Sequence, residues 1–222
     1  MLMETINWGA FSRIVYINLA HRRDRNVRMK RQFRELGAPK EKIIRFDAIK
    51  ATPGVIGCVR SHIAVLEMAM ESGWEDVLIF EDDFQFGRDD ENISRLNRWL
   101  HTLSGVSWDV AFLAANYHRV TPLKSVDYLI RVNQAWCACA YWVKRHYYPQ
   151  LLANFRQSLA YLEQGGEPQC FALDVHWWHL MMKDCWLGLY PCAGYQAADR
   201  SDIELADIDY RPLFFKSLDT IV

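Results

Sequence analysis

The stretch DVLIFEDDFQF, Asp76 to Phe86, decides how the rest of the chain is read. Val77 to Phe80 are four apolar residues in a row, the pattern of a short strand buried on both faces. Glu81, Asp82 and Asp83 follow without a break. Adjacent carboxylates repel one another, and the repulsion grows as water is withdrawn. A chain that places three of them at the end of a core strand must supply a positive charge there or leave them solvated.

Working outward, RIVYINL at 13–19 reads as an earlier strand and KIIRFDAI at 42–49 as a second. Between them Val27, Met29, Phe33 and Leu36 form an imperfect helical stripe, with Gly37 as its C-cap. SHIAVLEMAMESG reads as a helix that Ser61 opens as N-cap and that closes near Gly73. Downstream, DENISRLNRWLHTL puts Ile93, Leu96, Leu100 and Leu103 on one helical face, and WDVAFLAAN is a fourth strand. YLIRVN and AWCACAYWV read as two further strands, paired antiparallel. Pro149 marks a break or a helix start, ALDVHWWHLMMKD reads as one apolar helix, and CWLGLYPC as a last strand. From Ala193 onward no period is clear. Early alternation of strands and helices predicts an α/β fold with a mainly parallel sheet flanked by helices. Such sheets bind ligands beyond the carboxyl ends of their strands, where INLAHRRDR and IFEDD both fall.

The 222 residues suit one domain, with a core at about 13–203 and a tail at about 204–222. A net charge of −1 gives no basic field to attract nucleic acid. No apolar run reaches the ~18 residues of a membrane span, and MLMETINWGAFSR lacks the basic-then-apolar pattern of a secretory leader. The expected location is therefore cytoplasmic. The six cysteines lack CxxC zinc spacing and read as reduced, buried thiols.

The acid run is a candidate site for a hard cation. Mg²⁺ or Mn²⁺ takes one or two carboxylates and fills its remaining positions with water and phosphate oxygens. In that reading Asp83 is the metal ligand, with Glu81 on the same side by strand alternation and Asp82 beside it. The competing reading is a solvated turn with one acid capping the next helix. Arg22, Arg23 and Arg25 offer forked donors for a diphosphate, or form a solvated helix face. Ser61 and His62, at a helix start, would favour an anion, and His62 equally suits a hydrogen-bonded core position. Asp174 is a candidate general base or a helix cap. His176 and His179 share a helical face but have no evident third ligand.

Taken together these segments resemble glycosyltransferase family 25, which includes lipooligosaccharide and collagen galactosyltransferases. INLAHRRDR is similar to its opening motif, through Ile17, Asn18, Leu19, Arg22 or Arg23, Asp24 and Arg25. GVIGCVRSH resembles the second motif through Gly54, Gly57, Cys58, Ser61 and His62, with Val55 where the family often has Glu. VLIFEDD resembles its version of the Asp-x-Asp motif, CAYWVKR a later segment, and ALDVHWW places Asp174 before aromatics. YPCAGYQAADRSDI resembles the C-terminal signature through Pro191, Gln196, Ser201, Asp202 and Ile203. Six motifs in order, over about 13–203, are a far stronger signal than any one of them.

The resemblance implies a GT-A-like, Rossmann-type fold, a UDP-sugar donor, Mn²⁺ or Mg²⁺, and inverting transfer of galactose or glucose to a hydroxyl. The acceptor would be a glycan, a lipooligosaccharide or a protein, and peripheral contact with a membrane is a habit of bacterial members. It also implies roles. Asp83 and Glu81 would serve the metal, and Asn18, Leu19, Arg22, Arg25, Ser61, His62, Glu81 and Asp82 the nucleotide sugar. Asp174 would be the base, with Asp202 as the alternative. A non-catalytic nucleotide-sugar or glycan binder on the same fold is the competing class. A nucleotidyltransferase is disfavoured because residues 20–34 contain no glycine for a phosphate loop.

Overall fold

Strand–helix alternation over the first third of the chain builds a parallel half-sheet. In the computed structural model, which describes residues 5–200 and 207–222, β1 (Arg13–Asn18) is followed by α1 (Arg23–Glu35) and β2 (Ile43–Asp47). α2 (Gly54–Glu71) and β3 (Asp76–Glu81) come next. β1 pairs in parallel with both β2 and β3, so Asn18, Asp47 and Glu81 end on one edge. Gly37 takes φ +72 just beyond α1, the left-handed stop expected of it.

The second half is built differently. After β4 (Phe84–Phe86) and α3 (Asp90–Ser104) come two long strands, β5 (Val110–Pro122) and β6 (Leu129–Lys144). α4 (Tyr148–Glu163), α5 (Pro168–Phe171), α6 (Leu173–His176) and α7 (Trp178–Lys183) precede β7 (Trp186–Leu189) and β8 (Gly194–Gln196). The six-stranded sheet runs β2-β1-β3-β6-β5-β7. β6 alone opposes the other five, being antiparallel to both β3 and β5, while β5 and β7 are parallel. The α/β fold with a mainly parallel sheet flanked by helices is therefore as the sequence predicts.

Two elements differ from the sequence reading. The segments at 128–133 and 135–143 are one strand, β6, bent where Cys137 takes φ +70. Its first residues pair with β7 and its last with β3, so the bend lets one strand serve both sides of the sheet. The apolar segment from 172 to 184 is two short helices with Trp177 between them. Trp177 is fully buried against Phe112, Tyr141 and Trp186, so a large side chain seated in the core interrupts a helix that the sequence pattern would continue.

The last residues are tied down. The Val120 amide donates to the Ile221 carbonyl (2.7 Å), and Lys216 Nζ donates to Asn116 Oδ1 (2.6 Å). Phe214 and Ile221 are buried. Among the described residues no helix is long and apolar enough to cross a membrane.

Candidate active site

A cavity of about 630 Å³ opens at the shared edge of β1, β2 and β3. Its walls come from the end of β1 (Ile17, Leu19), residues 48–54 leading into α2, and the turn after β3. The start of α2 contributes Gly57, Cys58, Ser61 and His62. This is the carboxyl-end location that the parallel half-sheet requires.

Ser61 does not open α2. The helix begins at Gly54, two turns earlier, because Pro53 sets an extended entry and Gly54 onward is already helical. Ser61 instead bridges the helix and the loop before it: its hydroxyl donates to the Gly57 carbonyl (2.7 Å) and accepts the Ile49 amide (2.8 Å). A Cβ on Gly57 would lie 2.4 Å from the Ile49 carbonyl oxygen, so only glycine lets the loop approach this closely. The anion-favouring helix end faces the cavity through Thr52, Pro53 and Gly54, not through Ser61 and His62.

The acid run is partly neutralised from within. Arg25, carried on α1, reaches under the turn and donates from Nη1 to Asp82 Oδ1 (2.9 Å) and Asp83 Oδ2 (3.1 Å). Asn18 Nδ2 donates to Asp82 Oδ2 (2.6 Å), while Asn18 Oδ1 accepts from Arg45 (2.9 Å). Asn18 is thus buried inside this network and is not on the cavity wall. Arg22 is paired with Asp24 (2.9 Å) and is also off the wall; that guanidinium holds the Asp24 carboxyl down to about 2. Leu19, Arg25, Glu81, Asp82 and Asp83 do line it.

One guanidinium does not balance these carboxylates. Burial, then the charge of Glu81, pushes Asp83 up to about 7 despite Arg25. Burial also raises Asp82 over the opposing effect of Arg25. Asp83 Oδ2 accepts from Gln196 Nε2 (3.1 Å), but Asp83 Oδ1 is buried with no hydrogen-bond partner. A buried carboxylate oxygen left unpaired is costly, and it fits a cation or a water at that point. The donor set is hard oxygen, which suits Mg²⁺ or Mn²⁺.

Gln196 arrives through β8, which pairs with β4. A Cβ on Gly194 would lie 2.0 Å from the Gln85 carbonyl oxygen, so glycine is what permits that approach. Gln196 belongs to the C-terminal signature, yet nothing in its local sequence announces a role beside Asp83. His21 and Lys50 also line the cavity. Neither has a sequence signal beyond its proximity to a strand end.

Asp174 sits at the first turn of α6, beyond the end of β3, and is half-buried. Ala140 pairs with Phe80, so Cys137, three residues earlier on an opposing strand, lies past Glu81 on the same edge. The Cys137 amide donates to Asp174 Oδ2 (3.0 Å). Burial raises the Asp174 carboxyl against that hydrogen bond, and the charge of Glu81 raises it further. Asp174 and the acid turn therefore sense one another, although 91 residues separate Asp174 from Asp83. Asp202 and the neighbouring Ser201 and Ile203 lie outside the described residues. His176 and His179 have rings 5.7 Å apart and no third ligand among the described residues.

The family model described as glycosyltransferase family 25 (LPS biosynthesis protein) matches residues 50–158, from the cavity loop through α4. No curated protein matches. Among solved structures, A197 from STIV is 12% identical with a TM-score of 0.46, over 84% of this chain and 86% of that one. An apo UDP-glucose pyrophosphorylase is 9% identical with a TM-score of 0.43, over 82% and 74%. Mannose-1-phosphate geranyltransferase from Thermus thermophilus is 13% identical with a TM-score of 0.36, over 79% and 58%.

Proposed function

We propose, from the match of residues 50–158 to glycosyltransferase family 25, that the chain moves a hexose from a UDP-sugar to an acceptor hydroxyl on a glycoconjugate, with inversion and with a divalent cation. Galactose is the favoured sugar and glucose the alternative, following the family. The acceptor is a glycan, a lipooligosaccharide or a protein hydroxyl. The reading keeps the cytoplasmic location expected from the sequence, and peripheral membrane contact is compatible with it.

The observation that carries the reading is the 630 Å³ cavity with the acid turn at its base and the start of α2 on its wall. The volume falls within the range of small-molecule sites, about 300–1,000 Å³. The first N–H groups of α2 have no partners within the helix and favour an anion, which suits the donor diphosphate. Arg25 is fixed by two carboxylates and presents fixed positive charge to the same space.

Asp83, with Glu81 beside it, would hold Mn²⁺ or Mg²⁺. Bound there, the cation supplies charge stabilisation for the departing diphosphate. Arg25 and the α2 amides stabilise the same developing charge without reorganising. Ser61 keeps the loop that forms the cavity wall against α2.

Asp174 is the proposed base. The acceptor oxygen bonds to the sugar carbon as the bond from that carbon to the diphosphate oxygen breaks, and the hydroxyl proton passes to Asp174. A carboxylate with a pKa raised by burial is a stronger base than a solvated one, and the Cys137 amide keeps it oriented. Asp202 is retained as the alternative base.

Calorimetric titration with UDP-galactose and UDP-glucose, each with and without Mn²⁺, tests the donor site. Metal-dependent binding that Asp83→Asn abolishes is the expected result. Binding indifferent to both metal and Asp83 would leave a nucleotide-sugar binder without the proposed chemistry.

A further inference from the structure

Next to the acid turn, α2 presents two side chains to which the transfer step described above gives no chemical role. Cys58 and His62 are four residues apart and so lie one above the other on the same helical face. Both face Glu81. Cys58 Sγ is 3.7 Å from Glu81 Oε1, and His62 Nε2 is 3.5 Å from that same oxygen. All three ligand atoms lie within 4.8 Å of one another.

The imidazole contact is long for a hydrogen bond. A good N–H···O contact is about 2.7–3.2 Å. The two separations from Glu81 Oε1 are close to the edges of a tetrahedron around one cation, and the sulfur-to-imidazole separation, within 4.8 Å, is the one that closes on binding. With metal–ligand lengths of about 2.3 Å to sulfur and about 2.0–2.2 Å to nitrogen and oxygen, those edges are about 3.6 Å and 3.4 Å. The imidazole is already oriented: His62 Nδ1 is 2.7 Å from Tyr141 Oη, and the ring is buried. With the Nδ1 proton given to Tyr141, the Nε2 lone pair is left for a metal on the Glu81 side, the arrangement in which an outer hydrogen bond fixes a metal-binding histidine. All three residues line the 630 Å³ cavity, which leaves a fourth position open to it.

We propose that Cys58, His62 and Glu81 form a three-ligand site for a borderline-soft divalent cation such as Zn²⁺ or Co²⁺, with its open position facing the cavity. Thiolate and imidazole select such ions over Mg²⁺ and Mn²⁺, which prefer oxygen. Binding replaces the Cys58 thiol proton, which leaves to solvent as the sulfur–metal bond forms. The site differs in its donor set from the hard-oxygen site at Asp83 and shares Glu81 with it, so a thiophilic ion draws Glu81 Oε1 toward α2. The proposal does not depend on which sugar is transferred or whether transfer occurs.

The test is a titration of the full chain with Co²⁺ alone, followed by absorption. One equivalent should produce a near-ultraviolet sulfur-to-cobalt charge-transfer band and the intense visible bands of four-coordinate cobalt. Cys58→Ser should lose the charge-transfer band, and Glu81→Gln should lose the four-coordinate bands. Tyr141→Phe, which keeps the ligands, should weaken affinity by about 10- to 100-fold. Near-ultraviolet circular dichroism reports whether each variant is folded, and the Glu81 and Tyr141 variants decide the matter if Cys58→Ser is not. No uptake by the wild type, uptake without the band, or a band that persists in Cys58→Ser would overturn the assignment. UDP-galactose binding in Mg²⁺, titrated in parallel, reports the donor site separately.

Discussion

The β2-β1-β3 half of the sheet and the β6-β5-β7 half bring carboxylates to one edge by different routes. In the first, parallel strands all end together, so Asn18, Asp82 and Asp83 meet because the chain leaves the sheet there. Their charge is handled locally by Arg25, from the helix that follows β1. In the second, Asp174 belongs to no strand. It comes from a short helix and is held by the Cys137 amide, at the one non-glycine residue among those described with positive φ. Backbone held in that region costs about 1–3 kcal/mol and needs surrounding support. Strand ends build the acid turn; a bend in a strand builds the seat of Asp174.

If that division holds, Asp174→Asn should separate the two halves most widely. The amide keeps an acceptor for Cys137 but cannot take a proton. Transfer should fall by about 10²–10⁴-fold in kcat, while calorimetric donor affinity stays unchanged. A matching loss of donor affinity would mean that the two sides are not distinct.

Arg25→Met tests the donor half by stability. Removing one partner of a buried ion pair leaves uncompensated charge and costs about 3–5 kcal/mol. Denaturant unfolding at neutral pH should show that loss. A cost below about 1 kcal/mol would mean that Asp82 and Asp83 are not held by Arg25 in solution.

Asp83 gives a pH signature of defined sign. Its carboxyl is raised from 3.8 to about 7 in the folded protein. The folded state therefore binds its proton more tightly than the unfolded state does. That stabilisation is complete below 3.8 and is lost as pH rises through about 7. Without metal, Asp83→Asn should melt above the wild type at pH 8, and the gap should close toward pH 4. Adding Mg²⁺ or Mn²⁺ should raise the wild-type midpoint and leave the variant unmoved. A wild type that is the more stable of the two at pH 8 without metal would contradict the crowding of charge at this turn.

The smallest effect is expected away from both halves. Arg60 and Glu163 join α2 to α4 at 2.6 Å, and both are exposed. Glu163→Gln should change stability by less than about 1 kcal/mol, as for surface ion pairs generally. A larger change would show that α2, which carries the cavity wall, depends on α4 for its position.

Much of this was legible in residue patterns. Val77 to Phe80 could only be a buried strand, and β3 spans Asp76–Glu81 as its composition requires. The loops after β1 and β3 share an edge because parallel strands leave no alternative. What misled was local. Ser61 has the residue type of an N-cap, but Pro53 and Gly54 start α2 earlier, and a hydroxyl inside a helix can serve a neighbouring loop as readily as its own end. The apolar run around Trp177 reads as one helix because periodicity says nothing about how deep a large side chain must sit.

The sequence by itself determined the order of elements, the parallel first half, the carboxyl-edge position of the acid turn and the resemblance to a family. These rest on short-range physics: apolar runs, breaks at proline and glycine, and motif order. Tertiary structure decided which charges meet. Arg25 and Asp83 are 58 residues apart, and Gln196 and Asp83 are 113 apart. Cys58 and Glu81 meet only because α2 packs beside the end of β3. Such pairings depend on register, on the close approaches at Gly57 and Gly194, and on the bend at Cys137. No local pattern encodes them, because each is set by where two distant segments are forced to share space.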